Sequence, residues 1–189
     1  MRKANWLGIV ALGVIGTGCA KPRGDSISEQ RAHVQNMKVK TLEDLHAREP
    51  KAREKIEQAA GYGVFSNIGF TLFFVGWGNG YGVVVDKTTG KETYMRMLSG
   101  SAGLGLGGKD FRAVFVFNDK SVLDKFIESG WEFGAEGDAS AKVSDTGGAA
   151  TASSTFGKPI EVYRFTESGI NLHGTVEGTK YRLDKYLND

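Results

Sequence analysis

The chain has 189 residues, of which 24 are basic, 22 are acidic and 27 are glycine. Residues 1–18 are predicted to be a removable export segment, and its Arg2 and Lys3 supply the whole formal charge of +2, so the mature chain is neutral. Because a nucleic-acid-binding protein needs a basic excess to displace counterions from phosphates, this balance argues against nucleic acid as a partner. The hydrophobic content of 40% excludes an intrinsically disordered chain and provides for one domain with its own core.

The export segment ends in a sequence that resembles a bacterial lipobox. An apolar run over residues 6–15 is too short to span a bilayer as a mature helix, and Gly-Thr-Gly-Cys at 16–19 follows it. In a lipobox the cysteine is acylated and becomes the first mature residue. Cys19 is the single cysteine, so it has no intrachain disulfide partner, and Ala20 after it favours an outer-membrane address facing the periplasm. The alternative is ordinary cleavage after Ala20, which releases a soluble periplasmic protein.

Helical patterning follows a short polar stretch. Residues 21–24 are charged, lack apolar periodicity and contain proline and glycine, which predicts a flexible tether. A weakly amphipathic helix is expected over residues 27–40. Thr41 with Asp44 three positions later is typical of a capping box that opens a new helix over residues 42–48.

The apolar period changes from helical to strand-like at Gly61. Before it, Pro50 favours the start of a helix over residues 51–60, which carries Ile56 and three alanines on one stripe. After it, Val, Phe, Tyr and Ile recur with a period of two. The predicted strands are residues 62–66, 68–75, 81–86, 92–98, 102–107 and 111–117. The last of these is apolar on both faces, which predicts a central strand covered from two sides.

The remaining elements alternate helix and strand. Residues 86–91 form a predicted hairpin loop with a glycine near its end, and Asn118 or Asp119 is expected to cap a helix over 120–129 that ends at Gly130. The further predicted elements are a strand over 131–143, a loop or pair of small-residue strands over 144–157, a hairpin of 160–165 with 170–176, and a closing helix over 181–187.

This order of elements indicates an α+β fold in a single domain. Its sheet is expected to be mostly antiparallel, Gly-rich and strongly curved, with a barrel-like form as the extreme, and packed by a few helices. The expected organisation is a lipoprotein signal peptide over residues 1–18, a tether and N-terminal segment over 19–40, and the folded domain over 41–189.

Two glycine-rich runs invite a ligand-binding interpretation. Residues 103–108 formally match G-x-G-x-x-G, but a dinucleotide site needs that motif to open a helix, and here a predicted strand follows. Residues 76–82 have glycine at every second position, which predicts a strand with one bare face. Either a neighbouring element or a ligand is expected to pack on such a face.

Other residues that could carry chemistry are scattered. The three histidines stand at no metal-ligand spacing: His33, His46 and His173. Glu132, Glu136 and Asp138 alternate along one predicted strand, where a solvated face is favoured over an acid–base pair. A Gly-x-Ser-x-Gly motif is absent. The sequence therefore predicts no catalytic residue, no metal site and no cofactor.

An ordered series of motifs resembles the SYLF domain family, a lipid-binding module that is also described as an actin-binding domain in fungi. The motifs are AAGYGVF at residue 59, the two glycine-rich runs, GVVVD at 82, SAGLGLG at 101, FVF at 115 and GAEGDAS at 134. The resemblance covers residues 42–189 and is closest to the bacterial branch of exported proteins and lipoproteins. It implies that the domain binds an anionic lipid surface.

In eukaryotic members of that family, basic and amphipathic character near the start of the domain binds phosphoinositides. The matching positions here are Lys51, Arg53 and Lys55, with Glu54 and Glu57 diluting their charge. At about 100° per residue the charged positions flank the apolar stripe of the helix. The alternative is therefore that the stripe packs on the sheet and the charges are only solvated.

Taken together, the residues and the resemblance predict a lipoprotein of the bacterial envelope, anchored through an acyl chain such as palmitate on Cys19. Its domain is expected to bind membrane phospholipid without enzymatic activity. The alternative is a structural or interaction protein that holds an envelope protein partner through a sheet edge or a glycine-lined face.

Overall fold

The computed structural model describes residues 21–133, 152–156, 160–166 and 176–189. For some of these residues it describes the backbone but not the side chains, namely 69–76, 101–110, 131–133, 152–156, 166 and 176–178. The described residues form four helices and six strands. In chain order these are α1 (Ile27–Arg48), α2 (Lys51–Gln58), β1 (Gly61–Asp86), β2 (Glu92–Phe117), α3 (Lys120–Ser129), β3 (Trp131–Phe133), β4 (Ala152–Phe156), β5 (Ile160–Thr166), β6 (Val176–Leu183) and α4 (Lys185–Asn188).

α1 is one continuous helix where the sequence predicted two. Its capping box lies at Ser26: the Glu29 backbone N–H donates to Ser26 Oγ at 3.2 Å, and the Ser26 N–H donates to Glu29 Oε2 at 3.1 Å. The capping box expected at Thr41 is wrong, because Thr41 is buried inside the helix and its hydroxyl donates to Met37 Sδ at 3.5 Å. Neither glycine nor proline interrupts residues 27–48, so the backbone has no reason to break.

β1 and β2 form one antiparallel hairpin with 26 residues in each strand. Each therefore merges three of the shorter strands that the sequence predicted. The pairing runs along both strands with one irregularity, between Phe73 and Val75. The turn expected over residues 86–91 joins them, with Gly90 at φ +72° near its end.

β2 is the central strand of an antiparallel sheet. β1 pairs with one of its edges; on the other edge, β6 pairs with residues 95–102 and β5 with residues 111–117. β3 extends the sheet beyond β6, and β4 extends it beyond β5. Residues 113–117 are all buried, which confirms the prediction of a central strand covered on two sides.

The hairpin folds back on itself, so that the two halves of β1 touch. A Cβ added at Gly61 would lie 2.5 Å from the carbonyl oxygen of Val85, and one added at Gly80 would lie 2.3 Å from that of Ser66. Glycine is required at these positions because any side chain would collide with backbone. The α+β fold and the strong curvature are thus confirmed, whereas the described strands do not close into a barrel.

Two hydrophobic clusters pack on opposite faces of the folded sheet. The aromatic core combines both halves of the hairpin with α3, and Phe65, Phe115 and Tyr181 meet in it with ring centroids 4.7–5.6 Å apart. The helix-covered core lies under α1 and α2, and Val34 and Leu45 of α1 are fully buried there. Alternate residues of each strand therefore face different helices.

The C-terminal part confirms some elements and corrects one. α3 begins at the Asp119 cap, whose Oδ1 accepts from the Ser121 N–H at 2.7 Å, and ends at Gly130 with φ +68°. The closing helix expected over residues 181–187 is wrong at its start, because residues 181–183 complete β6 against β2. The hairpin expected between residues 160–165 and 170–176 is wrong, because β5 pairs with β2 on one edge and with β4 on the other. Residues 170–175 and most of the segments expected over 131–157 lie outside the described residues.

Candidate functional site

α2 buries its apolar stripe in the protein. Ala52, Ile56 and the following Ala59 are each less than a tenth exposed and belong to the helix-covered core. The alternative interpretation of this helix, in which the stripe packs on the sheet, therefore holds. α2 presents charged side chains to solvent, but it has no exposed apolar side chain that could insert into a membrane.

The three basic residues of α2 have different surroundings. Lys51 and Arg53 are exposed. Lys55 Nζ lies 2.5 Å from Glu161 Oε2 on β5, and this hydrogen bond is the main reason that the pKa of Lys55 is raised. Its charge is thus locally balanced, and the lipid-binding role of the three residues stays a prediction.

A second surface arises where the sheet extends beyond α1. Tyr81 and Tyr94 pack under α1, and every second residue farther along the same strands shares their face. In the register, Trp77 is opposite Gly100, and Leu98 is opposite both Asn79 on β1 and Lys180 on β6. We call this surface the open face. Its members are Trp77, Leu98, Gly100, Arg96, Lys180 and Arg182.

Trp77 is exposed because its cross-strand neighbours are glycines. Gly100 stands opposite it on β2, and Gly178 stands opposite Gly100 on β6. A Cβ added at Gly100 would meet no atom within 4 Å, so the surface beside the indole is open. Trp77 is 56% exposed and Leu98 is 47% exposed. Both are large apolar side chains that the fold does not cover.

Basic residues border these two apolar side chains, and two of them have an acidic neighbour. Arg182 is opposite Arg96 in the ladder, Lys180 is opposite Leu98 on β2 and Glu132 on β3, and both β6 residues are exposed. Arg96 Nε donates to Asp184 Oδ2 at 2.8 Å, and this carboxylate is nearly inaccessible. The buried carboxylate fixes the Arg96 guanidinium at the margin of the open face.

A small groove on this face holds the start of the described chain. Lys21 and Pro22 line it together with Arg96, Leu98 and Arg182, and it encloses about 50 Å³. Pro22 is buried, so the flexible tether expected over residues 21–24 is wrong at this position. Pockets for drug-sized ligands enclose roughly 300–1,000 Å³. This face therefore suits contact with a surface or with a small anionic group rather than enclosure of a whole molecule.

Two histidines of α1 have lowered pKa values. His33 Nε2 lies 2.8 Å from the Tyr81 hydroxyl, at the border between α1 and the open face. Burial is the main cause that lowers the pKa of His33, and Arg23 and Arg112 add to it. Burial likewise lowers the pKa of His46, whose Nε2 is buried with no hydrogen-bond partner among the described residues.

The strand segment that contains the glycine run over residues 76–82 has one covered face and one exposed face. Gly78, Gly80 and Gly82 lie against the first half of β1, so a neighbouring element covers the bare face. Trp77 alternates with these glycines and belongs to the opposite face. Sequence reasoning therefore found the bare face but missed the exposed one. The signal that could have revealed it is a tryptophan standing between glycines in a run of period two.

The other sequence-derived candidates gain no ligand site. Residues 103–108 lie within β2, and 105–108 pair with β1, so the G-x-G-x-x-G motif opens no helix. Of the alternating carboxylates, Glu132 lies on β3, while Glu136 and Asp138 lie outside the described residues. His173 also lies outside them. Within the described ranges, no group of three His, Cys, Asp or Glu side chains could hold a metal ion. No helix of the described chain is long and apolar enough to cross a bilayer.

The chain is similar to a curated protein of known sequence. Beta cell expansion factor A from Aeromonas veronii is 32% identical over 163 residues, which are 85% of this chain and 60% of that protein. The chain thus spans less than two thirds of the length of the curated relative that it matches. No protein-family model matches the chain, so membership of the SYLF family stays a prediction.

Proposed function

We propose that this protein is an envelope lipoprotein, acylated at Cys19, whose α+β domain binds anionic phospholipid surfaces and catalyses no reaction. The observation that carries the proposal is the arrangement of the open face. Exposed Trp77 and Leu98 stand there among Arg96, Lys180 and Arg182.

The chemistry of this face matches a membrane interface. Apolar side chains rimmed by polar ones mark interaction surfaces, and tryptophan is enriched where hydrocarbon meets headgroups. Each basic side chain near an anionic leaflet contributes about 1 kcal/mol. The open face combines both contributions, whereas α2 offers only charge because its apolar stripe is buried.

Vesicle flotation with matched variants tests this proposal. The chain lacking residues 1–19 would be mixed, at low salt, with vesicles of phosphatidylglycerol or of phosphatidylcholine. Trp77→Ala with Leu98→Ala removes the apolar part of the open face. Val39→Ala is its control, since Val39 is an exposed apolar residue on α1. Lys180→Glu with Arg182→Glu reverses two charges of the open face, and Lys51→Glu with Arg53→Glu reverses two charges of α2.

The expected result is binding of the wild type to phosphatidylglycerol vesicles. Reversing Lys180 and Arg182 places repulsive charges at two positions of the open face and removes the attraction of about 1 kcal/mol at Arg182, so affinity should fall by at least about tenfold. The α2 pair and Val39→Ala should bind nearly as wild type does. Loss of binding in the α2 pair alone would move the lipid site to α2. If the wild type does not bind anionic vesicles, the proposed lipid-binding function is wrong.

The relative's name supports a second candidate, a factor that acts on the expansion of beta cells. The similarity to Beta cell expansion factor A extends over 85% of this chain. Beta-cell counts in cultured islets treated with the folded protein or with heat-denatured protein test this candidate. Equal counts in both would dismiss it.

A further inference from the structure

We propose that the open face docks on the same membrane leaflet that carries the lipid on Cys19, and that the domain therefore lies flat on its own membrane and does not reach a second one. This inference rests on the proposed function. It adds which membrane leaflet the domain binds and how the domain is oriented on that leaflet.

The path of the chain supports this orientation. Pro22 is buried and Lys21 lines the groove beside Arg96, Leu98 and Arg182. The start of the described chain is thus fixed on the open face. Cys19 precedes Lys21 by two residues, and two residues of fully extended chain span at most about 7 Å. An acyl anchor on Cys19 therefore brings the leaflet to the side of the domain that carries the open face.

The charges near the chain start favour the same leaflet. Lys21 adds an exposed cation to Arg96, Lys180 and Arg182 on this side. A short link converts the second contact into an intramolecular event, with an effective concentration in the millimolar range. Even a weak affinity of the open face for anionic lipid then keeps the domain docked. For the face to meet an opposite membrane, the chain start would have to detach from the groove.

Coupling through Cys19 makes the orientation measurable. Cys19 is the single cysteine, so the chain from residue 19 to 189 reacts there alone with a maleimide-bearing phospholipid in phosphatidylglycerol vesicles. Brominated phosphatidylglycerol, which quenches tryptophan at contact distance, is placed either in these vesicles or in a second, uncoupled population. Emission of wild type minus that of Trp77→Phe isolates Trp77 from Trp131.

The control variant carries a spacer of about twenty Gly and Ser residues between Ala20 and Lys21, with a root-mean-square reach of about 25 Å. In the coupled wild type, brominated lipid in its own vesicle should remove most of the Trp77 emission. Brominated lipid in the second population should leave it unchanged, and light scattering should reveal no vesicle clustering. The spacer variant should gain quenching from the second population.

Quenching of the wild type from the second population, or none from its own vesicle, would overturn the orientation. Measurements on the uncoupled chain distinguish failure of the proposed orientation from failure of the lipid-binding function. If it binds phosphatidylglycerol vesicles while the coupled chain shows no quenching from its own vesicle, the orientation fails and the lipid-binding function survives. If the uncoupled chain does not bind, the function fails first.

Discussion

Gly80 lies so close to Ser66 that a Cβ added to it would stand 2.3 Å from the Ser66 carbonyl oxygen. The two residues belong to the two halves of β1, 14 positions apart in the same strand. Their contact shows that the long hairpin doubles back between them. The curvature of the sheet, and with it the position of the open face, depends on the missing side chain.

Gly80→Ala should therefore destabilise the fold, whereas Gly100→Ala should not. Overfilling a closed contact costs about 1–3 kcal/mol, while Gly100 faces open space and surface changes usually stay within about 0.5 kcal/mol. Urea unfolding of both variants measures the difference in free energy. Equal stability of the two would show that the halves of β1 are not in backbone contact.

Asn188→Ala should loosen the C-terminus. The Asn188 side chain pairs with both backbone groups of Tyr94: Nδ2 donates to the carbonyl at 2.7 Å, and Oδ1 accepts from the N–H at 3.0 Å. The Tyr94 carbonyl also accepts from the Asp184 N–H at 3.0 Å, so Asn188→Ala removes the side-chain partner of the Tyr94 N–H, and leaving a buried donor unpaired costs about 1–3 kcal/mol. Tyr186→Ala, on the exposed side of the same short helix, is the control and should change the free energy of unfolding little. An Asn188→Ala variant as stable as this control would argue against the pairing.

The stability of the protein should fall as the pH drops from about 8 to about 5. The folded state lowers the pKa of His33 and His46, so the unfolded chain takes up protons first. The stabilisation is complete above the ordinary histidine pKa of about 6.5 and is lost as the pH passes below it. The lowered carboxyl pKa values of Asp86 and Asp119 act at lower pH.

Unfolding at several pH values, followed by circular dichroism, measures this effect. His33→Gln combined with His46→Gln should flatten the profile between pH about 8 and about 5. A wild type that is equally stable across this range would contradict the lowered pKa values of His33 and His46.

Cys19→Ser should abolish labelling by a palmitate analogue and move the protein from the membrane fraction to the soluble fraction. One acyl chain alone binds a membrane marginally, and two or more hold it stably, so a wild type with two or more acyl chains on Cys19 should remain with membranes after a salt wash. Unchanged labelling of Cys19→Ser would place the lipid elsewhere. A soluble wild type whose signal ends at Ala20 would establish ordinary cleavage.

Local patterns in the sequence predicted much of the fold. The period-two runs, the Asp119 cap and the turn glycine near residue 90 each act over a few residues, and the structure contains all three. The joining of short strands into two long ones could not be predicted, because it depends on pairing between residues up to 56 positions apart, such as Gly61 with Phe117.

The candidate site was harder to predict than the fold. The basic residues of α2 were visible in the sequence, but the pairing of Lys55 with Glu161 joins residues 106 positions apart. The open face was missed because its members come from β1, β2 and β6, and only the register brings Trp77, Leu98 and Lys180 to one surface.

Whether the domain recognises anionic lipid is decided by the affinity of the chain lacking residues 1–19 for vesicles of phosphatidylglycerol, compared with vesicles of phosphatidylcholine. At low salt we expect binding at least about tenfold tighter to the anionic vesicles, since exposed Arg182 on the open face and exposed Lys21 beside it contribute about 1 kcal/mol each. The preference should shrink as salt rises, because screening shortens the reach of the charges. Equal affinity for both vesicles, or binding to neither, would contradict the assignment of this domain to anionic lipid.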